Sequence, residues 1–240
     1  RGLKMNKKIS VLLLLSTIGF ASEYYAKVEP VSIYNVKSSV SGKVLYVNKD
    51  IESKNIKNDT IVKIDANVNK IDLKQSKIKL KGLKDILTIE KNTLNSFKKV
   101  SSKSRFDKDN QRIKILNVTS SISDLETKIA TLNDLITNKT LKEQNKYIYN
   151  IAVEIGDYVN PGTLLYTAMD LTKGKLEIYI PISKANDIKT KTIYLNDVKT
   201  DLKISKLYTV SDTKHISSYK CEINIPTPKE FSSLKKIEFR

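Results

Sequence analysis

Residue types that carry covalent or metal chemistry are few in this chain. The 240 residues include one cysteine, Cys221, and one histidine, His215. A single cysteine cannot form an intrachain disulfide, and a single histidine cannot build a metal cluster by itself. The serine cluster at Ser101–Ser104 has no suitably placed histidine to activate a hydroxyl. These residues therefore predict turn and strand positions rather than a catalytic or metal site.

Other catalytic patterns are also missing from the sequence. It contains no Gly-rich phosphate loop and no metal-ligand spacing. The aspartates and glutamates are distributed as on a helix surface, not as a paired acid and base. We therefore expect a protein that binds and assembles, without enzymatic activity and without a cofactor.

The charge of the chain is strongly positive, at a formal +17 from 43 Lys and Arg against 26 Asp and Glu. Almost all of the basic residues are lysines, and they are spread along the whole chain. Neither a compact basic block nor a basic–aromatic pattern occurs, so we expect no nucleic-acid partner. Dispersed lysines are typical of a solvated surface and favour proximity to an anionic membrane.

The first functional signal lies near the N-terminus, over residues 5–21. Lys7 and Lys8 precede a short apolar run, Ile9–Ile18, and Gly19–Ala21 fits a small-x-small cleavage site. The run is shorter than the ~20 residues that span a bilayer. This pattern predicts a cleaved secretory signal. The alternative is an uncleaved N-terminal anchor.

Two segments 103 positions apart share a pattern of short strands joined by a turn. They are Val44–Asp65 and Tyr147–Tyr166. This offset aligns apolar residues with apolar residues and turn residues with turn residues. The aligned pairs are Ile56 with Val159, Ile61 with Leu164, Val62 with Leu165, Tyr46 with Tyr149, Ser53 with Gly156 and Asp59 with Gly162. Neither half is long enough to bury its own apolar face, so we expect the two halves to pack together as a small β-sandwich.

A helical segment separates the two halves, and its apolar residues recur at alternating spacings of three and four. That spacing is a heptad seam over three heptads, which predicts a coiled coil. The seam residues are Ile115, Val118, Ile122, Leu125, Ile129, Leu132 and Ile136.

An earlier helix follows the same register, with Ser76 and Glu90 as polar exceptions. Its apolar seam positions are Leu73, Leu80, Leu83, Leu87, Leu94 and Phe97. The segment Ser101–Ser104, followed by Asp107 and Asp109, predicts a turn and then a helix N-cap. Two seams of equal length joined by a short turn predict an antiparallel hairpin with arms of ~35 residues and ~50 Å.

The second strand–turn–strand segment resembles the half-motif of biotinyl and lipoyl domains. The pattern is V-x-x-G-x-L after a Gly-Asp turn, carried by Gly156, Asp157, Val159, Gly162 and Leu164. Those domains carry a modified lysine on the turn between their halves. Here about eighty residues replace that turn, so we expect no lipoyl or biotinyl attachment. A cofactor-carrying biotinyl-like module is therefore the least favoured interpretation of this chain.

The order of signal, half-motif, heptads and half-motif resembles the HlyD-type membrane fusion proteins, or periplasmic adaptor subunits, over Val31 to about Pro226. The resemblance implies a mixed α+β, elongated fold: a split biotinyl/lipoyl-like β-sandwich with an inserted antiparallel coiled-coil hairpin, followed by a β-barrel domain. The expected segments are 5–21 (signal), 31–64 (first half), 65–143 (hairpin), 144–170 (second half) and 171–240 (barrel, with a short or absent membrane-proximal domain).

Strand candidates for the barrel follow the second half. They are Leu176–Pro181, Thr192–Leu195, Leu202–Val210 and Tyr219–Ile225, with one or two helical turns over Ile182–Ile188. The family has a similar order of strand, proline, short helix and strands.

The hairpin tip is the expected docking surface. Efflux adaptors often carry Arg, Leu and Ser there, and this chain has lysine in place of the arginine. The candidate docking residues are Lys91, Leu94, Phe97, Lys98, Lys99, Ser101, Ser102 and Arg105.

The resemblance implies an adaptor that links an inner-membrane transporter of the RND, ABC or MFS class to a TolC-like outer-membrane channel, for efflux or secretion. It also implies self-association into a ring, and a periplasmic location at the inner membrane of a Gram-negative envelope. The alternative, from a different class, is an exported coiled-coil tether that works without a pump.

Export can be tested by the mass of the intact protein from the periplasmic fraction. Cleavage after the small-x-small site predicts a mature chain that starts at or near Ser22, because the apolar run is too short to remain as a span. Retention of residues 5–21 would instead favour the anchored form.

Overall fold

The computed structural model describes residues 22–240, so the predicted signal segment lies outside the described residues. The chain divides into two compact units. The hairpin unit is Val31–Leu171, and the terminal unit combines residues 22–30 with Thr172–Arg240. Among residues 22–240, no helix is both long enough and apolar enough to cross a membrane.

Twelve strands and two α-helices make up the regular structure of the described residues. In chain order they are β1 (Glu23–Lys27), β2 (Glu29–Lys37), β3 (Gly42–Val47), β4 (Lys54–Ile64), α1 (Asn67–Lys99), α2 (Arg105–Asn138), β5 (Thr140–Ile151), β6 (Tyr158–Val159), β7 (Leu164–Pro181), β8 (Ile193–Leu195), β9 (Val198–Lys199), β10 (Ile204–Leu207), β11 (Ser218–Pro226) and β12 (Leu234–Phe239). Short 3-10 turns cover Lys49–Ile51, Ile182–Lys184 and Asp187–Thr190.

The sheet of the hairpin unit brings the two sequence halves together. Its strands follow the order β7-β5-β4-β3-β6, and β4 pairs with β5 in an antiparallel register from Lys54 opposite Ile148 to Lys63 opposite Thr140. Apolar side chains from both halves fill its core, and the fully buried ones include Val44, Ile61, Val62, Ile148 and Leu165. Each half therefore covers the apolar face of the other.

The repeat is visible in the backbone as well as in the core. Ser53 and Gly156, which the sequence repeat pairs, both adopt positive φ angles, of 62° and 103°. Asp59 and Gly162 differ: Asp59 lies within β4 opposite Glu143, whereas Gly162 has a φ of 92° in a turn. In the first copy, β4 runs through the position that this turn occupies in the second copy.

The two helices form an antiparallel hairpin of 33 and 34 residues, each about 50 Å long at 1.5 Å per residue. The seven heptad positions predicted on α2 are all buried or half-buried, with Ile122 and Leu132 buried. On α1 the same holds for all eight positions, including the polar Ser76 and Glu90. The seam therefore faces the partner helix along the whole hairpin.

The base of the hairpin is tied to the sheet by a buried lysine. The ammonium group of Lys139, just after α2, donates to the backbone oxygen of Asp65 at 2.6 Å and to Asn69 Oδ1 at 2.7 Å. The backbone N–H of Ile64 donates to the Lys139 oxygen at 2.8 Å. These bonds join the end of β4, the start of α1 and the end of α2.

The terminal unit does not contain the predicted closed β-barrel. Within residues 22–240 its strands form open ladders, one in the order β1-β12-β8-β9 and one in which β10 and β11 extend from the later part of β7. The barrel prediction was wrong on closure because β8, β9 and β10 have only three, two and four residues, too few to continue the ladder around a barrel. The ladders share an apolar core that includes Leu176, Ile193, Ile223 and Ile237.

The N-terminal strand of this unit was not predicted from the sequence. β1 precedes the first half of the repeat, yet it pairs along its full length with β12, from Glu23 opposite Glu238 to Lys27 opposite Leu234. The terminal unit therefore contains paired strands from both ends of the described chain.

Charge in the seam should destabilise the hairpin. Replacing Ile122, which is 7% exposed, with aspartate buries an unpaired charge and should lower the free energy of unfolding by about 3 kcal/mol or more. The matched control is Ile113→Asp on the same helix, where the side chain is 53% exposed and the loss should stay below about 0.5 kcal/mol. Urea unfolding followed by far-ultraviolet circular dichroism measures both. Equal stability of the two variants would contradict the seam.

Candidate docking surface at the hairpin tip

The candidate docking residues lie on the last turns of α1, on the connecting turn and on the first residue of α2. Six of them are exposed to solvent: Lys91, Lys98, Lys99, Ser101, Ser102 and Arg105. The other two, Leu94 and Phe97, are half-buried at seam positions. The structure therefore assigns those two to the interior of the hairpin, where they hold the arms together.

Phe97 is further covered by a lysine from the turn. The Lys103 ammonium lies 4.5 Å from the centre of the Phe97 ring, a cation–π arrangement. Val100, the residue that follows α1, is 46% exposed and is an apolar side chain of the turn that faces solvent.

A capping box fixes the start of α2. The Asp107 N–H donates to Ser104 Oγ at 3.1 Å, and the Ser104 N–H donates to an Asp107 carboxylate oxygen at 3.2 Å, which satisfies two helix-end donors. Hydrogen bonds from the Ser104 side chain and backbone lower the pKa of Asp107. The contribution of the Asp107 carboxylate to folding stability is complete above the ordinary carboxyl pKa, and it is lost as the pH falls through the lowered pKa of the folded protein.

A polar pair interrupts the apolar seam near the tip. Gln111 is 4% exposed, and its side-chain amide donates to the Glu90 backbone oxygen at 3.0 Å and to the Glu90 carboxylate. A buried polar pair of this kind matches only one register of the two helices. Gln111 lies four residues before Ile115, at the seam spacing, so its position was visible in the sequence although its role was not.

The charge of the tip is mainly positive. Residues 91–109 contain six Lys and Arg and two Asp. Arg105 pairs with Asp109 at 3.7 Å, and Arg112 lies 2.8 Å from the same carboxylate. Lys98 and Lys99 occupy the last turn of α1, where positive charge also offsets the helix dipole.

An apolar stripe on the outer face of α2 was missed by the sequence reasoning. It consists of Phe106, Ile113 and Leu116, which are 73%, 53% and 66% exposed. Spacings of seven and three residues place them on one face of the helix. Several exposed apolar side chains on one helix face make this face a candidate contact surface. The helical spacing was the available signal, but the stronger seam pattern obscured it.

The lipoyl-like residues build turns and short strands of the hairpin unit. Gly156 takes a left-handed backbone conformation, and Gly162, also at positive φ, donates its N–H to the Ser38 oxygen at 2.8 Å. The Asp157 carboxylate accepts from the Glu154 N–H at 2.8 Å. Val159 is buried opposite Gly42, and Leu164 begins β7 half-buried. These five residues join the second half of the repeat to the first.

The histidine and the cysteine make structural contacts in the terminal unit. The His215 ring stacks on Tyr179 with 3.5 Å between ring centres, and its Nδ1 lies 3.1 Å from Asp212. Cys221 is fully buried, and burial raises the pKa of its thiol to about 12, which opposes thiolate chemistry at neutral pH. Within residues 22–240, no group of three or more His, Cys, Asp or Glu could hold a metal.

Comparison with known proteins gives matches among solved structures alone: no protein-family model and no curated protein matches the chain. MacA from Actinobacillus actinomycetemcomitans is 17% identical with a TM-score of 0.71, covering 92% of this chain and 78% of that one. A MacA–MexA chimera that contains the Pseudomonas aeruginosa MexA α-hairpin domain is 14% identical with a TM-score of 0.71, covering 92% and 81%. The membrane fusion protein Spr0693 from Streptococcus pneumoniae R6 is 8% identical with a TM-score of 0.70, covering 91% and 98%. At identities this low, the structural likeness establishes a shared fold alone.

Proposed function

We propose that this chain, whose fold is that of the membrane fusion proteins, works as a periplasmic adaptor for efflux or secretion. One observation carries the proposal: a helical hairpin about 50 Å long leaves the β-sheet of its unit between two paired strands. The hydrogen bonds and ion pairs of residues 91–109 stay within the hairpin. A rigid arm with a tip that packs on no other element of its unit is suited to reach a second protein.

The proposed mechanism uses the hairpin as a spacer and the β units as its base. The seam makes the hairpin a coiled coil, and Lys139 fixes its base to the sheet. In the adaptor role the β units rest on an inner-membrane transporter, and the tip meets a TolC-like outer-membrane channel. Several copies side by side form a ring around the transported compound.

Charge and apolar surface have separate tasks in this proposal. Lys98, Lys99 and Arg105 steer the tip toward an acidic rim on the channel, because exposed charges act mainly on the rate of association. The apolar contact then comes from Val100 and from the stripe on α2 rather than from Leu94 and Phe97, which the hairpin itself half-buries. Phe106 is the outermost apolar side chain of that stripe along the helix.

The proposed location is the periplasm at the inner membrane. The predicted signal segment supports export, and the formal charge of +17 supports attraction to an anionic membrane surface.

Charge reversal at the tip tests this function. The variant Lys98→Glu/Lys99→Glu/Arg105→Glu should fold normally, because exposed charges contribute little stability, but it should lose capture of the outer-membrane channel. The matched control, Lys74→Glu/Lys77→Glu/Lys81→Glu, makes the same charge change at exposed positions nearer the base of α1. Channel captured after crosslinking of intact cells is measured by mass spectrometry, alongside growth in toxic exported compounds.

The adaptor proposal predicts channel capture and resistance at the parent level for the base variant, and loss of both for the tip variant. If the tip variant folds, captures the channel and supports growth like the parent, charged docking at the tip is wrong. Failure of the parent protein itself to capture any channel would favour a tether without a pump.

A further inference from the structure

The terminal unit contains an open cleft of about 610 Å³. Its walls are the Asp187–Thr190 turn, β8, the end of β9 and the segment that leads through β10. This volume falls within the range of small-molecule sites, roughly 300–1,000 Å³. The adaptor proposal assigns no task to the cleft, which lies entirely within one unit.

The floor of the cleft is apolar. Ile188 and Ile193 are 4% and 1% exposed, and Leu202, Ile204 and Leu207 are half-buried against the same core. Ile188 and Ile193 are themselves buried, whereas the half-buried Leu202, Ile204 and Leu207 retain apolar surface toward the open space. An apolar chain placed there would remove from water its own surface and the remaining exposed surface of these three side chains.

The rim of the cleft carries concentrated positive charge. Four lysines line it, against a single acidic residue, Asp201. The Lys189 ammonium donates to Asn186 Oδ1 at 3.2 Å. Within residues 22–240, Lys191, Lys199 and Lys203 form no side-chain hydrogen bond or ion pair, so their ammonium groups remain available to a ligand.

Some other lysines of the terminal unit are paired with carboxylates. Lys220 lies 2.7 Å from Glu177, and Lys236 lies 2.7 Å from Asp197 and 2.8 Å from Glu238. These ammonium groups are neutralised within the unit, whereas those at the cleft are not. The unpaired lysines at the cleft differ from other exposed lysines of the unit because they surround a concave, partly apolar surface.

Hydrogen bonds give the cleft a fixed wall. Thr200 Oγ1 donates to the Ile193 oxygen at 2.7 Å and accepts from the Leu202 N–H at 3.4 Å. The Thr200 N–H donates to the same Ile193 oxygen at 3.0 Å. The segment that carries Lys199 and Lys203 is thereby held against β8.

We propose that this cleft binds a single-chain anionic amphiphile, a molecule with one apolar chain and a carboxylate or phosphate end. The chain would lie on the floor, and the acidic end would pair with Lys191, Lys199 and Lys203. A free amphiphile fits the cleft better than a bilayer surface does, because the apolar side chains of the floor line a concavity. This binding activity is independent of docking at the hairpin tip.

Fluorescence titration with dansyl-undecanoate, below its critical micelle concentration, tests the proposal on the full chain. The probe should bind saturably, dodecanoate should displace it, and dodecyltrimethylammonium should not. The variant Lys191→Gln/Lys199→Gln/Lys203→Gln should weaken binding about tenfold, from the loss of three exposed charge interactions. The control Lys27→Gln/Lys173→Gln/Lys214→Gln removes the same charge from exposed positions of the terminal unit outside the cleft and should change binding less than twofold.

A floor variant separates the apolar contribution from the charge. Leu207→Asn, at a half-buried floor position, should also weaken probe binding several-fold, with circular dichroism confirming an intact fold. Vesicles of neutral lipid with and without anionic lipid test the bilayer alternative. Equal loss in the cleft and control triple variants, saturable binding to vesicles without binding of the free probe, or no probe binding at all would each overturn the proposal.

Discussion

The pairing of β4 with β5 is the interaction on which the hairpin unit depends. These strands flank the two long helices, so their ladder can form only if the hairpin returns the chain to its starting point. The antiparallel helices meet this condition, and Lys139 secures it by binding the end of β4 and the start of α1. Closing a long insertion costs little more entropy than closing a short one, so a β domain split in this way can still fold around one core.

Two kinds of side chain give the hairpin different properties along its length. The apolar seam supplies packing over most of the arm, while Gln111 and Glu90 add a polar pair close to the tip. The capping box of Ser104 and Asp107 then fixes the start of α2 directly after the turn. The tip is consequently positioned by its own contacts, which leaves its charged side chains and the outer stripe of α2 free for a partner.

Local periodicity made the hairpin and its turn predictable from the sequence, because each heptad repeats the same short-range spacing. Longer-range relations were not visible. The pairing of β1 with β12 joins residues more than 200 positions apart, and no local sequence pattern predicts this pairing. The open ladders of the terminal unit follow from strands of two to four residues, whose ends the sequence does not mark. At the tip, the types of Leu94 and Phe97 suggested contact residues, but their seam positions assign them to the hairpin interior.

The central claim, that the tip of a rigid hairpin meets an outer-membrane channel, is tested most directly by site-specific photocrosslinking in intact cells. A photoreactive amino acid at the exposed Ser102, compared with one at the exposed Lys77 on the same helical arm nearer the base, reports what lies next to each position. The account predicts that the tip position captures an outer-membrane channel, identified by mass spectrometry, and that the base position does not. Capture of the same proteins from both positions, or of no envelope protein from the tip, would contradict it.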